Sequence, residues 1–362
     1  MKQQHMFSNQ MIAAILVPVI LEQLLNSVMG TADTMMVSNV GSAAISAVSL
    51  VDSINVLVIQ AFSALAAGGA IICAQYIGQK NKERANESAR QVLFIITAIS
   101  IVVSLICLIF QKPLLRVIFG SVEAEVMRAS EIYFFYTALS FPFIAAYDAA
   151  ASIFRAQDNT KGPMIISIIS NVMNIVGNAI MIWGFHMGVA GAAIATAISQ
   201  IVSTLVYLTF VLRKKSVYHF KIKNCTFTKE IMLEIFKIGI PTLVFQILTS
   251  LSISLVNTQA RPYGDSVIAG MGAVTRVVSM GSLMVFGFIK GFQPIAGYSY
   301  GAKKFDRLHE AIKTSIIWST VFCVIYGLVL TVFSKGIISQ FTKGDLEMIR
   351  VGTQSLRING IS

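Results

Sequence analysis

Residues 16–40 constrain this chain more than any other stretch. They form a mostly apolar helix of bilayer-spanning length that nevertheless carries Glu22, Asn26 and Asp33. At 3.6 residues per turn, the three side chains fall within about 40° of one another on one helix face. A charged group in the bilayer core costs about 3 kcal/mol or more, so this polar stripe must face protein or water. It reads as part of an ion or substrate path. The plainer reading is a hydrogen-bonding face between helices.

The rest of the chain has the same character. Of its 362 residues, 55% are hydrophobic and only 12% charged, against about 25% charged in a soluble domain. Apolar segments of spanning length fall near 10–35, 45–75, 91–118, 129–153, 163–183, 189–212, 232–257, 267–298 and 311–333, and a tenth begins near 351. The expected class is an all-α polytopic membrane protein with about 9–10 transmembrane helices. Residues 1–10 lead straight into the first apolar helix without a small-residue cleavage site, so that helix is expected to be retained.

Lys and Arg are distributed asymmetrically: the loops on the N-terminal side hold 18 of them and the opposite loops seven. This places the N-terminus in the cytoplasm, together with the basic segment 213–237, which reads as a topology determinant. The net charge of +11 is thereby explained, and nucleic-acid binding is not expected. Cys73, Cys107, Cys225 and Cys323 have no paired spacing, and His5, His186, His219 and His309 have no ligand spacing. Neither disulfides nor a metal site are indicated. No phosphate-binding loop of the G-x-x-x-x-G-K-[ST] type occurs. Neither ATP hydrolysis nor any other enzymatic activity is expected, and transport would be secondary.

The chain also repeats itself. At an offset of 223 residues, Pro18 matches Pro241, Gln23 matches Gln246, Ser27 matches Ser250, Gly41 matches Gly264 and Gly68 matches Gly291. The densest block is a charged turn in which Gly78, Lys80, Arg84 and Glu87 recur as Gly301, Lys303, Arg307 and Glu310. Six helices precede the linker, so both copies begin on the same side. The repeats are therefore parallel, related by an axis along the membrane normal, with a cavity between the halves. The expected domains are an amino-lobe of six helices (1–212), a basic cytoplasmic linker (213–231) and a carboxyl-lobe (232–362). The second copy falls about 73 residues short of the first, with three helices and the start of a fourth, so the chain is expected to be C-terminally incomplete.

Ser167, Asn171, Asn174 and Asn178 share a second polar face, within about 60° of one another in the fifth segment. Asparagines there could ligate a cation through their carbonyl oxygens or join helices by hydrogen bonds. Other embedded charges have structural readings. Asp148 would pair with Arg155, Arg276 and Lys290 would pair or snorkel, and Asp52 would act as a charge at a helix start. Aromatic residues such as Phe141, Phe143, Tyr147, Phe286 and Phe292 could stack on a cation, though packing is the commoner role.

The run 155–200 (RAQDNTKGPMIISIISNVMNIVGNAIMIWGFHMGVAGAAIATAISQ), the first-helix TADTMMVSNVG, the EIFKIGIP entry to the seventh helix and the GFQPIAGYSYGAKKFDR turn together resemble the multidrug and toxic-compound extrusion (MATE) family. The resemblance implies twelve helices in two six-helix lobes, and export of cationic or amphipathic organic compounds against H⁺ or Na⁺. Asp33 matches the family's first-helix coupling aspartate. Asn174, Asn178 and Thr196 match other members of an amino-lobe cation site found in a branch that includes the DinF-like proteins. That branch commonly has Asp where this chain has Asn178, which leaves Asp33 as the sole anion of the constellation and weakens the case for Na⁺. The second copy's stripe of Gln246, Ser250 and Asn257 is uncharged, so ionisable chemistry is concentrated in the amino-lobe.

The expected function is a secondary multidrug antiporter of a bacterial cytoplasmic (inner) membrane. It would be monomeric and multi-pass, with no cofactor beyond the coupling H⁺ or Na⁺. Its partners would be the lipid bilayer and small organic cations or amphipathic drugs. Asp33, Asn174, Asn178 and Thr196 would couple the cation. Glu22, Asn26, Asn171, Gln200, Gln246 and Asn257 would line the cavity. Protonation of Asp33 would change its hydrogen bonding to Asn174 and Asn178 and bias the amino-lobe between two packings. The alternatives are a lipid-linked precursor flippase of the wider superfamily, or a non-transporting membrane remnant.

Overall fold

Long apolar segments with few charges can satisfy their backbone polar groups within a bilayer only as helices or closed barrels, and this chain takes the helical solution. The computed structural model describes residues 9–120, 123–212, 228–260, 265–340 and 346–361, in which all regular secondary structure is helical. The helices are α1 (Asn9–Ser38), α2 (Ser42–Gly78), α3 (Lys82–Ile109), α4 (Gln111–Phe119), α5 (Ala124–Ala156) and α6 (Lys161–Asn178), then α7 (Gly188–Leu212), α8 (Lys229–Ala260), α9 (Asp265–Gly301), α10 (Phe305–Ser339) and α11 (Leu346–Ile361). A π-helical turn, Ala179–Gly184, continues α6. Nine of these, all but α4 and α11, are long and apolar enough to cross a membrane.

Several boundaries differ from the sequence expectation. The third segment starts at Lys82, not near 91, because the Asn81 side chain accepts the Arg84 N–H at 3.0 Å and caps the helix ahead of its charged first turns. It ends at Ile109, and the remainder forms α4, a short helix that buries Leu115 while Lys112 and Arg116 stay exposed. The tenth segment starts at Leu346 rather than near 351. Of the expected linker, residues 213–227 lie outside the described residues.

Helix association in lipid depends on close van der Waals packing and interhelical hydrogen bonds, because lipid tails already solvate apolar side chains. The pairing of α2 with α5 follows that rule. Ala44, Ala66, Ala70 and Ala74 of α2 share one buried cluster with Ala138, Ala145 and Ala149 of α5, and Phe62 meets Phe141 edge-on at 6.3 Å. Hydroxyls add links across helices: Ser104 Oγ donates to the Ala138 carbonyl at 2.7 Å and Thr204 Oγ1 to that of Phe143 at 2.9 Å. The outer faces of α3 (Val102, Leu105, Ile109) and α10 (Val324, Leu328, Val332) are exposed and apolar, as lipid contact requires.

Contacts between the two repeats follow the 223-residue offset. Gly68 on α2 lies against the backbone of Ile235 and Gly239 on α8. Its counterpart Gly291 on α9 lies against Leu16 on α1, the counterpart of Gly239. At the ends of α2 and α9, Gly78 backs onto the Tyr298 carbonyl, and Gly301 onto the carbonyl of Gln75, the counterpart of Tyr298. A Cβ on either glycine would collide with backbone. Such reciprocal exchange is the mark of a two-fold relation between parallel copies. The turns that follow also match: Lys80 and Lys303 both take left-handed conformations, with φ of 59° and 55°.

Candidate functional site

The polar stripe of α1 meets a different set of partners at each level. At its far end, Asp33 Oδ1 accepts a hydrogen bond from Asn178 Nδ2. Asn178 Nδ2 also donates to Asn174 Oδ1 at 3.2 Å, and Asn174 Nδ2 donates to Thr196 Oγ1 at 2.9 Å. Thr196 in turn donates to the Ala192 carbonyl at 3.0 Å. Both asparagines are fully buried.

Local sequence makes this chain of bonds possible. Asn174 and Asn178 are four residues apart on one face of α6. Gly177 lets the backbone of Ala195 on α7 approach closely enough for Asn174 to reach Thr196. The π-turn begins directly after Asn178, and such turns re-aim a helix and recur at functional sites. Carboxylate, amide and hydroxyl oxygens are the donor set that a proton or a hard cation requires.

In the middle of α1, Asn26 Oδ1 accepts from Ser167 Oγ at 2.9 Å and from Asn171 Nδ2 at 3.4 Å, while the Asn26 side chain remains exposed on its other side. Nearest the N-terminus, Glu22 is bound by Arg155, whose Nη1 lies 3.1 Å from both carboxylate oxygens. The two residues are 3% and 7% exposed, so the pair is buried. Ser152 Oγ accepts from Arg155 Nη2 at 3.3 Å. The carboxylate that Arg155 grips is thus Glu22, where the sequence pointed to Asp148. Asp148 instead lies in a common field with Lys290 of α9, Arg155 and Glu22. Arg276 is exposed.

Asp52 needs a larger correction. It lies ten residues inside α2 rather than at a helix start. Its Oδ1 accepts from Asn55 Nδ2 at 3.3 Å and from the Tyr133 hydroxyl of α5 at 3.2 Å. Asp33 is five residues from the end of α1 and Asp52 ten residues from the start of α2, so the two carboxylates lie in the same half of the bundle. The i, i+3 spacing of Asp52 and Asn55 in an apolar helix was the available signal.

The remaining sequence candidates are dispersed. Gln200 and Gln246 are half-buried on α7 and α8, and the Asn257 side chain lies outside the described residues. Among the aromatic candidates, Phe141 is fully buried in the α2–α5 core, Tyr147 packs edge-on against Tyr207 at 5.3 Å, and Phe292 lies in a buried cluster with Leu16. These three are packing residues here. Phe286 meets Phe245 at 6.4 Å, and Phe143 is exposed.

Between the repeats, a cavity of about 310 Å³ is lined by Ile15, Arg155, Asp158, Pro294, Tyr298 and Arg307 among others. It lies at the end of the bundle where α2 and α9 cross. Asp158 sits outside the spans, in a turn with φ of 64°. Partial burial raises its carboxyl above the ordinary range, and Arg307 pulls it back in part.

A family model described as MatE matches residues 18–180 and 241–362. An uncharacterized transporter, YisQ, of Bacillus subtilis is 28% identical over 342 residues, 90% of this chain and 72% of that protein. The multidrug export protein MepA of Staphylococcus haemolyticus is 27% identical over 323 residues, 88% of this chain and 71% of its own length. Among solved structures, a MOP superfamily transporter from Pyrococcus furiosus superposes with a TM-score of 0.89 at 20% identity, covering 96% of this chain and 77% of its own. An outward-facing multidrug resistance MATE family transporter gives 0.89 at 20% identity, with the same coverage of both chains.

Proposed function

The chain belongs to the MatE family, and from that premise we propose that it is a secondary exporter moving cationic or amphipathic organic compounds out of a bacterial cell against inward H⁺ or Na⁺. The observation that carries this reading is the buried chain of bonds from Asp33 through Asn178 and Asn174 to Thr196. A carboxylate in the outer half of a membrane helix costs free energy unless it has work to do. Here it is coupled to amides on one neighbouring helix and a hydroxyl on the next. The MepA relatives are multidrug export proteins, which supports the transport direction and the breadth of substrate.

The chain sits in the inner membrane with its N-terminus in the cytoplasm, in keeping with the Lys and Arg asymmetry, and works as a monomer. In this orientation the α2–α9 crossing closes the cytoplasmic side and Asp33 lies in the outer half. When Asp33 takes up H⁺ or Na⁺ from outside, its acceptor strength toward Asn178 falls. The bonds along α6 and α7 then rearrange, and the amino-lobe shifts between two packings. Glu22, Asn26 and Asn171 line the route, and Gln200 and Gln246 face substrate from α7 and α8.

The test is efflux of ethidium from proteoliposomes holding the purified chain, driven in turn by a proton gradient and by a Na⁺ gradient. Asp33→Asn should abolish gradient-driven efflux while the purified protein keeps its wild-type unfolding temperature. Efflux at the wild-type rate in that variant would refute the mechanism.

A further inference from the structure

Between Arg90 and Lys112, residues 91–111 carry no charge, 21 in all. At 1.5 Å per helical residue they span about 32 Å, close to the thickness of the hydrocarbon core. Lys112 and the rest of α4 therefore lie at the membrane surface, at the end of the bundle opposite the N-terminus.

Three faces of α4 differ there. Leu115 is fully buried in the core formed with α2, α3 and α5, and Gln111 Nε2 donates to the Glu131 carbonyl of α5, so one face is fixed to protein. Val117 lies about 160° round the helix from Leu115 and is 84% exposed. Phe110, just before the helix, and Pro113 are also exposed on that side. Lys112 and Arg116, four residues apart, form a basic edge between the two faces, and both are exposed. Gly120, with φ of 65°, ends the helix.

A helix kept only for packing would turn its apolar residues inward. This one presents an apolar face away from the protein with cations along its edge, the pattern of a helix lying on a membrane surface. Its apolar groups enter the acyl boundary while its cations stay among the headgroups. Carboxylates do not take up these cations. Glu123 and Glu125, beside them at the start of α5, are exposed, yet among the described residues neither Lys112 nor Arg116 forms an ion pair.

The second copy supplies a comparison within the same chain. Ile338, the counterpart of Leu115, is also fully buried, and Lys335, the counterpart of Lys112, is also exposed. Arg116 and Val117, however, correspond to Ser339 and Gln340. Neither the second cation nor the apolar residue beside it recurs, so the repeat fold does not itself demand them.

We propose that α4 is an interfacial anchor that binds an anionic phospholipid, with Lys112 and Arg116 on the charged headgroup and Val117 against the acyl chains.

The experiment places a fluorophore on that face. In the full chain carrying Trp183→Phe, Trp318→Phe and Val117→Trp, emission comes from α4 alone, and all three altered positions are exposed. The protein is reconstituted in vesicles of phosphatidylglycerol and phosphatidylcholine in which one lipid or the other is brominated on its acyl chains, and unfolding temperature serves as the folding control. Both brominated lipids should quench the tryptophan when used pure. In equimolar mixtures brominated phosphatidylglycerol should dominate, because a basic residue near an anionic surface is worth about fivefold in binding and the pair roughly ten- to thirtyfold. Adding Lys112→Gln/Arg116→Gln should bring the preference close to one, whereas adding Lys335→Gln should leave it unchanged.

Emission that neither lipid quenches overturns the proposal, since the face then stays out of the membrane. Equal quenching by the two lipids with both cations present overturns the headgroup site, as does a preference that survives Lys112→Gln/Arg116→Gln in folded protein. Loss of the preference in Lys335→Gln assigns it to overall charge and overturns the site as well.

Discussion

Replacing Glu22 by Gln tests whether the buried ion pair with Arg155 is a structural clamp between α1 and α5. Arg155 Nη1 lies 3.1 Å from both Glu22 oxygens, and neither residue is more than 7% exposed. At a charge separation of about 4 Å and an effective dielectric of about 20, the attraction is roughly 4 kcal/mol. Breaking such a pair leaves an uncompensated charge and costs about 3–5 kcal/mol. Asp148 shares the field of Arg155 and offsets part of that loss, so Glu22→Gln should cost about 3 kcal/mol. Arg155→Met strands the carboxylate instead and should cost about 4 kcal/mol. The double variant Glu22→Gln/Arg155→Met removes both charges and should fall well short of the sum, with a coupling energy of roughly 3 kcal/mol. Denaturant unfolding of the detergent-solubilised protein, followed by tryptophan fluorescence, supplies the cycle. A coupling energy below about 0.5 kcal/mol would show that the two charges act independently, and the reasoning from burial and distance would be wrong.

Gly78→Ala and Gly301→Ala each place a methyl group against backbone where α2 and α9 cross, and overpacking of this kind costs about 1–3 kcal/mol. The cost applies only while those helix ends touch, so either change should shift the population toward a form open at that end. Faster thiol labelling of an Ile295→Cys probe in the adjoining cavity reports that shift, and unchanged labelling counts against it. Lys303→Gly should raise stability by about 1 kcal/mol, because glycine relieves the left-handed strain at φ of 55°. A lower unfolding midpoint would show that the lysine side chain contributes more than the backbone loses.

The polar face of α1 was legible because three polar side chains at helical spacing stand out in an apolar stretch, whatever they touch. Their partners were not legible. Arg155 is 133 positions from Glu22, and only the folded bundle brings them together. Asp52 was misread because α2 is 37 residues long, well beyond the roughly 20 needed to cross a bilayer. A helix of that length carries no mark of where the membrane begins. The start of α3 was set too late because its first turns are charged, and the cap at Asn81 outweighs the apolar pattern there. Asn174 and Asn178 were found by periodicity and Thr196 by resemblance. The bonds that join them depend on a close approach at Gly177 that no single helix reveals.

The reciprocal glycine contacts between α2 and α9, and between α2–α8 and α9–α1, have a further consequence. A surface that touches its own duplicate is what an isologous dimer interface becomes when two subunits are fused into one chain. A half-length ancestor would have paired with itself through this face, and every change would have entered the complex twice. Fusion lifts that constraint. The positions equivalent to Glu22, Asn26 and Asp33 in the second copy are Phe245, Thr249 and Val256, so the ionisable face survives in one half only. A symmetric dimer would have carried two such faces or none, whereas the fused protein can reserve one half for charge and free the other for different work.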